Sequence, residues 1–219
     1  MDHRIRISIS VVAIGCGALV ALLYTSHDNA AVFAKLIASL GFIAVAVFSG
    51  ASRSTWGRIL LIGLVLSLAG DMFLAWSADF AFLLGLGAFL LAHVAYTVAF
   101  GVHGVSVRWM AISAVFIAAL VYLIAGWLLP STPDKLVVPV TAYIIAISAM
   151  VIAAFGTRGA GGHWLIAAGA VMFFLSDLSV AAQRLLQTES ATYVWGLPLY
   201  YSGQVCLAIS VGKKRTNRG

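Results

Sequence analysis

The sequence predicts an all-α, polytopic integral membrane protein: eight transmembrane helices forming a single domain over residues 1–219. Three observations predict this fold class. The chain is 63% hydrophobic and only 9% charged, whereas a soluble globular domain carries roughly 25% charged residues, so its surface must face lipid. The apolar residues fall into eight runs, each near the ~20 residues that a helix needs to cross a bilayer. The connectors between runs are short and rich in turn residues, as in Thr25-Ser26-His27-Asp28-Asn29 and Pro130-Ser131-Thr132-Pro133-Asp134-Lys135, which leaves no room for a water-soluble domain.

The first run, 5–24, follows Arg4 and Arg6. It continues past Cys16 with no small-x-small site to close it, so it reads as an uncleaved span and not as a signal peptide. The second, 31–51, carries Lys35 near its start, and the third, 59–76, contains Asp71. The fourth, 80–102, holds His93 and Tyr96 one turn apart; the fifth, 109–129, is featureless; the sixth, 136–155, holds Tyr143. Asp177 lies in the seventh, 163–186, and Tyr200, Tyr201 and Gln204 lie in the eighth, 193–211.

Lys/Arg placement orients the chain. Arg4, Arg6, Arg53, Arg58, Arg108, Arg158, Lys213, Lys214, Arg215 and Arg218 fall on one side; Asp28, Asp79, Asp134 and Glu189 occupy the opposite connectors, with Lys135. Lys35 and Arg184 also lie towards that second side. Both termini are therefore expected to be cytoplasmic, with the protein in a bacterial inner (cytoplasmic) membrane. Although the net charge is +6, its dispersal in ones and twos matches cytoplasmic loops and excludes a nucleic-acid partner.

The ionisable residues inside the spans carry the functional reading. A carboxylate at bilayer depth is costly, so it is a functional-site hypothesis by default. Asp71 and Asp177 are the two acidic residues placed there. At ~1.5 Å per residue they lie roughly 18 and 21 Å from the starts of their runs, at similar depth. Ser67 is one turn before Asp71, and Ser176 adjoins Asp177. If the third and seventh helices touch, the two carboxyl groups would share a proton, with one acting as acid and the other as base. The structural alternative is that each Asp bonds a neighbouring Ser or Tyr for packing alone.

Lys35, His93, Tyr96, Tyr143, Ser176, Tyr200, Tyr201 and Gln204 are candidate pocket donors, while Trp76, Trp127 and Trp195 read as interface anchors. For Lys35, snorkelling to the interface competes with pairing to an Asp or a phosphate.

Other chemistries lack their residues. No Gly-x-Ser-x-Gly elbow occurs. His93 alone of five histidines is deep, and one histidine makes no zinc site. Cys16 and Cys206 sit in apolar runs without metal or disulfide spacing. Gly159-Ala160-Gly161-Gly162 lacks the Lys-Ser/Thr of a phosphate loop and reads as a turn. No cofactor or metal is called for.

A weak internal repeat links the halves. Leu68-Ala69-Gly70-Asp71 corresponds to Phe174-Leu175-Ser176-Asp177, and in the following helices Gly85-Leu86 precedes His93 by the same interval as Gly196-Leu197 precedes Gln204. Four helices separate the copies, so the repeat would be parallel, 4+4. Paired mid-membrane carboxylates in a parallel repeat would also serve a proton-coupled transporter or lipid exporter.

Three ordered motifs then bear on identity: Ser-x-x-Gly-Asp-x-x-Leu from Ser67 to Leu74, Gly-Leu-x-x-Phe-x-x-x-His-x-x-Tyr from Gly85 to Tyr96, and Phe-x-x-Ser-Asp from Phe173 to Asp177. With Lys35, Tyr143, Met150 and Gln204 they resemble the YhhN-like lysoplasmalogenase family over nearly the whole chain. The resemblance implies an eight-helix membrane hydrolase that cleaves the vinyl ether of a lysophospholipid, giving a fatty aldehyde and a glycerophospho-base. It implies Asp71 and Asp177 as the catalytic pair, acting without a metal.

Overall fold

The computed structural model describes residues 2–76, 78–186 and 191–213 and is all-helical among them. Its helices are α1 (His3–Tyr24), α2 (Asp28–Phe48), α3 (Thr55–Phe73), α4 (Asp79–His103), α5 (Val107–Leu128), α6 (Asp134–Gly159), α7 (Trp164–Leu185) and α8 (Tyr193–Ser210). Short 3₁₀ turns at Ala51–Arg53 and Leu129–Ser131 complete it. Glu189, Lys214, Arg215 and Arg218, used above for orientation, lie outside the described residues.

Local sequence sets the helix ends. The Asp2 side chain accepts from the Arg4 amide and the Ser54 side chain from the Gly57 amide, each supplying an acceptor for an otherwise orphan N–H. His163 caps α7 in the same way through Leu165. Partial burial, then the charges of Lys213 and Arg158, hold His163 below the ordinary histidine pKa. After α2 the chain reverses at Gly50, whose φ of 93° is left-handed and suits a residue without Cβ. Pro139 and Pro198 sit within continuous helices α6 and α8.

Seven helices are long and apolar enough to cross a membrane, which makes the chain an integral membrane protein. The eighth segment differs from the expectation. α8 is an 18-residue helix and is absent from that set. Tyr200, Tyr201, Gln204 and Ser210 lower its apolar character, and all four are buried against neighbouring helices. Polar side chains are tolerated here because protein surrounds them in place of lipid.

The packing makes a ring. α2 contacts α3, α3 contacts α4, α4 contacts α6, α6 contacts α7, α7 contacts α8, and α8 returns to α2. Outside the ring, α1 packs on α2 and α8, and α5 packs on α6. α5 is the most lipid-like surface: Val115 and Phe116 are 70% and 71% exposed.

Small residues let the helices approach, as is usual where no hydrophobic effect drives association in lipid. A methyl group on Gly203 of α8 would stand 2.9 Å from the Gly169 carbonyl oxygen of α7, and one on Gly169 would stand 2.8 Å from the Gly203 carbonyl. On α3, Gly63 makes room for the Tyr96 ring. The α3–α4 and α7–α8 pairs also share a register. A methyl group on Gly85 would lie 3.4 Å from the Gly70 carbonyl oxygen, and one on Gly196 would lie 3.6 Å from that of Ser176. Gly70 and Ser176 immediately precede Asp71 and Asp177.

Candidate functional site

Asp71 lies in the last turn of α3 and Asp177 in the second half of α7. Both reach one cavity of about 680 Å³ at the end of the bundle that carries the α1–α2, α3–α4, α5–α6 and α7–α8 connections. α3 and α7 themselves do not pack on each other; α4 and α8 lie against α3 and bridge towards α6 and α7. The two carboxylates thus share a cavity and not a helix–helix contact.

Each carboxylate is held through its Oδ2. For Asp71, the Ser39 hydroxyl of α2 donates at 2.6 Å and the Tyr200 hydroxyl of α8 at 2.8 Å. For Asp177, the Tyr143 hydroxyl of α6 donates at 2.7 Å, and Nε2 of His93 on α4 lies 3.4 Å away. His93 Nε2 also lies 3.0 Å from the Tyr143 oxygen. Because the Tyr143 proton points to Asp177, its oxygen is left to accept, which requires the hydrogen of His93 on Nε2. Nδ1 of His93 is buried and makes no hydrogen bond among the described residues. Hydroxyl-to-carboxylate bonds of this length are among the stronger side-chain hydrogen bonds. Four helices, α2, α4, α6 and α8, are therefore tied to the two carboxylates of α3 and α7.

The two sites differ in wetness. Asp71 is 4% exposed, whereas the Asp177 side chain is 17% exposed. Lys35 and Asp177 both act on Asp71 by charge across the cavity. Below the site, Phe173 organises an aromatic layer, with Tyr200 at 5.3 Å, Phe89 at 5.9 Å and His93 at 4.7 Å between ring centroids. That layer separates the cavity from the far half of the bundle.

Among the residues the sequence singled out, Lys35, Asp71, Tyr143, Ser176, Asp177 and Tyr200 line the cavity. His93 stands behind Tyr143, fully buried, and reaches Asp177 from there. Tyr96 and Gln204 are not in the lining. They bond each other at 2.9 Å, and Tyr96 meets Ser67 at 3.2 Å, in a separate buried network. Ser67 thus serves Tyr96 and not Asp71, because a residue one turn away on α3 faces α4. Tyr201 reaches only the Lys35 carbonyl at 3.4 Å and Ser39 at 3.5 Å. Trp76 and Trp195 are exposed, as interface anchors are, and Trp76 also borders the cavity. Sequence reasoning missed Ser39, a single serine inside an apolar helix with no motif around it, whereas Phe89, which walls the cavity, is the phenylalanine of the Gly85–Tyr96 motif. No three His, Cys, Asp or Glu side chains among the described residues are grouped as metal ligands would be.

The model of the YhhN family matches residues 30–211, a span that holds every cavity residue named above. The chain is 31% identical to the lysoplasmalogenase TMEM86B of Sus scrofa, over 88% of this chain and 81% of that one. It is 30% identical to the lysoplasmalogenase TMEM86A of Homo sapiens, over 71% of this chain and 66% of that one. It is 37% identical to a lysoplasmalogenase of Mycobacterium bovis, over 66% of this chain and 56% of that one. No solved structure matches the chain.

Proposed function

The chain belongs to the YhhN family, and on that premise we propose that it is an intramembrane hydrolase cleaving the vinyl-ether bond of lysoplasmalogens. The observation that carries the reading is two carboxylates at bilayer depth, each fixed by its own tyrosine, facing one cavity.

Vinyl-ether hydrolysis suits that pair. The first step moves a proton from a carboxylic acid to the alkenyl carbon β to oxygen, and the double-bond electrons form the new C–H bond. The resulting oxocarbenium ion is cationic, and a nearby carboxylate stabilises it. Water then adds to the carbon bearing oxygen while the second carboxylate takes its proton. In the collapse of the hemiacetal the ionised first carboxylate takes the hydroxyl proton while the protonated second carboxyl gives its proton to the leaving glycerol oxygen, so a fatty aldehyde and a glycerophospho-base are released and both carboxyls return to their starting states. Asp71, enclosed by apolar walls, is read as the acid. Asp177, the more exposed of the two and next to the Tyr143–His93 pair, is read as the base that meets water.

Ester hydrolysis would develop negative charge on oxygen and need donors aimed at it. Here the tyrosine protons are already committed to carboxylates. The Lys/Arg asymmetry supports cytoplasmic termini, so the cavity mouth opens on the opposite face of the cytoplasmic membrane.

The test offers purified protein 1-alkenyl, 1-acyl and 1-alkyl lysophospholipids of equal chain length. Aldehyde from the alkenyl lipid alone is expected. Fatty acid from the acyl lipid at a comparable rate, without aldehyde from the alkenyl one, would sink the proposal.

A further inference from the structure

We infer that the cavity is a two-ended lipid seat: Lys35 and Arg184 hold the phosphate of a single-chain phospholipid at the mouth, and its hydrocarbon chain leaves between α4 and α5. The inference rests on the lysophospholipid reading above and adds to it how the lipid lies and which residues select it.

The mouth supplies the first end. Lys35 and Arg184 are the two basic side chains among the described lining residues. Lys35 precedes Ser39 by one turn of α2, and Ser39 touches Asp71, so Lys35 sits about 6 Å nearer the mouth. Arg184 follows Asp177 by seven residues on α7, about 10 Å further along the same direction. Its guanidinium lies 5.0 Å from the centroid of the Phe82 ring, which also lines the cavity. Lys35 makes no ion pair among the described residues. In a 1-alkenyl lysophospholipid, six bonds separate the ether carbon from phosphorus, roughly 7–8 Å end to end for an extended zigzag of ~1.5 Å bonds. A phosphate on these cations therefore places the sn-1 linkage level with the carboxylates. Asp28 also lines the mouth and suits the cationic end of a zwitterionic head group.

An asymmetry between the halves supplies the second end. α1 packs against α8, but α5 does not pack along α4, although only residues 104–106 join them. In the 4+4 correspondence these are equivalent pairs, so outside the ring α1 covers the flank of α8 while the flank of α4 beside α5 is left uncovered. The cavity runs into that uncovered flank, bounded by Leu86 and Phe89 of α4, Val121 and Ile124 of α5 and Ile147 of α6. That wall offers no hydrogen-bond partner, so a polar ligand there would lose its own solvation without return. A hydrocarbon chain loses nothing and continues into the bilayer.

The experiment measures binding of lipids that cannot be cleaved, so it reads the seat independently of the vinyl-ether chemistry. A 1-alkyl lysophospholipid is compared with the 1-alkylglycerol that lacks the phosphate, in detergent, by titration calorimetry. Wild type is expected to bind the phosphate-bearing lipid at least about tenfold more tightly, the size of one charge-assisted contact. Lys35→Met/Arg184→Gln should erase that ratio and leave alkylglycerol binding unchanged, and Lys35→Arg should restore part of it. Ile124→Trp should weaken long-chain lipids and spare short-chain ones. Equal affinity of wild type for the two lipids overturns the phosphate end, and Ile124→Trp binding all chain lengths like wild type overturns the chain end. Tight, charge-dependent binding with no cleavage of the alkenyl lipid would instead leave the seat standing and refute the hydrolase reading.

Discussion

Tyr200 and Tyr201 are neighbours on α8, both buried, and the structure assigns them different consequences. The Tyr200 hydroxyl donates to Asp71 at 2.8 Å. That of Tyr201 reaches its partners at 3.4 and 3.5 Å, at the margin of hydrogen bonding. Tyr200→Phe removes one of the two donors on Asp71 and keeps the ring that packs on Phe173 and Phe89. As Asp71 gives up its proton its carboxyl becomes anionic, and a hydrogen bond to a charged group contributes about 1.5–3 kcal/mol, so loss of that transition-state bond should lower kcat roughly 10- to 150-fold. Tyr201→Phe loses only weak contacts and should change kcat by about threefold or less. The assay is aldehyde release by purified protein in detergent at saturating lipid, with thermal melting to verify that both variants are folded. A Tyr200→Phe enzyme within about threefold of wild type, or a Tyr201→Phe enzyme that is the slower of the two, would refute the claim that Asp71 is set by its Tyr200 bond.

Further outcomes follow from packing, capping and topology. Gly203→Ala sets a methyl against the Gly169 carbonyl and the Phe173 amide, so it should cost about 1–3 kcal/mol as overpacking does. This would be seen as a lower melting temperature, with Gly17→Ala, which meets nothing within 4 Å, as the neutral control. His163 is held below its ordinary pKa in the folded protein, so the folded state binds fewer protons than the unfolded one. Its contribution is therefore present above the ordinary histidine range and lost as pH falls through it. Protection factors of the amides in the first turn of α7, with the intrinsic pH dependence of exchange divided out, should fall on acidification in wild type and stay flat in His163→Asn, which keeps a capping acceptor. Reporter fusions after Asp134 and after Gly219 should report opposite sides of the membrane; agreement between them would overturn the orientation.

Asp71 and Asp177 were legible because a carboxylate in an apolar run stands out against its surroundings, and Tyr143 and Tyr200 because a buried hydroxyl needs a partner. Ser39 was not, since a serine costs a membrane helix little and leaves no pattern. Tyr96 and Gln204 were correctly read as buried polar groups but placed in the wrong company: helix rotation decides which neighbour a side chain meets, and the sequence does not encode rotation locally. The same limit hid the stand-off of α4 and α5, which depends on contacts that are not made. Mean hydropathy sets α8 apart from the other seven helices, because Tyr200, Tyr201, Gln204 and Ser210 are compensated by tertiary burial and not by an apolar composition.

The central claim is that Asp71 and Asp177 act as one unit, and the most direct measurement is aldehyde release from 1-alkenyl lysophospholipid by Asp71→Asn, Asp177→Asn and the double variant. General acid–base catalysis contributes about 10²–10⁴-fold, so each single variant should lose at least about a hundredfold. Groups that work together are non-additive, so the double variant should be little worse than either. Near-normal turnover in either folded single variant would contradict the account.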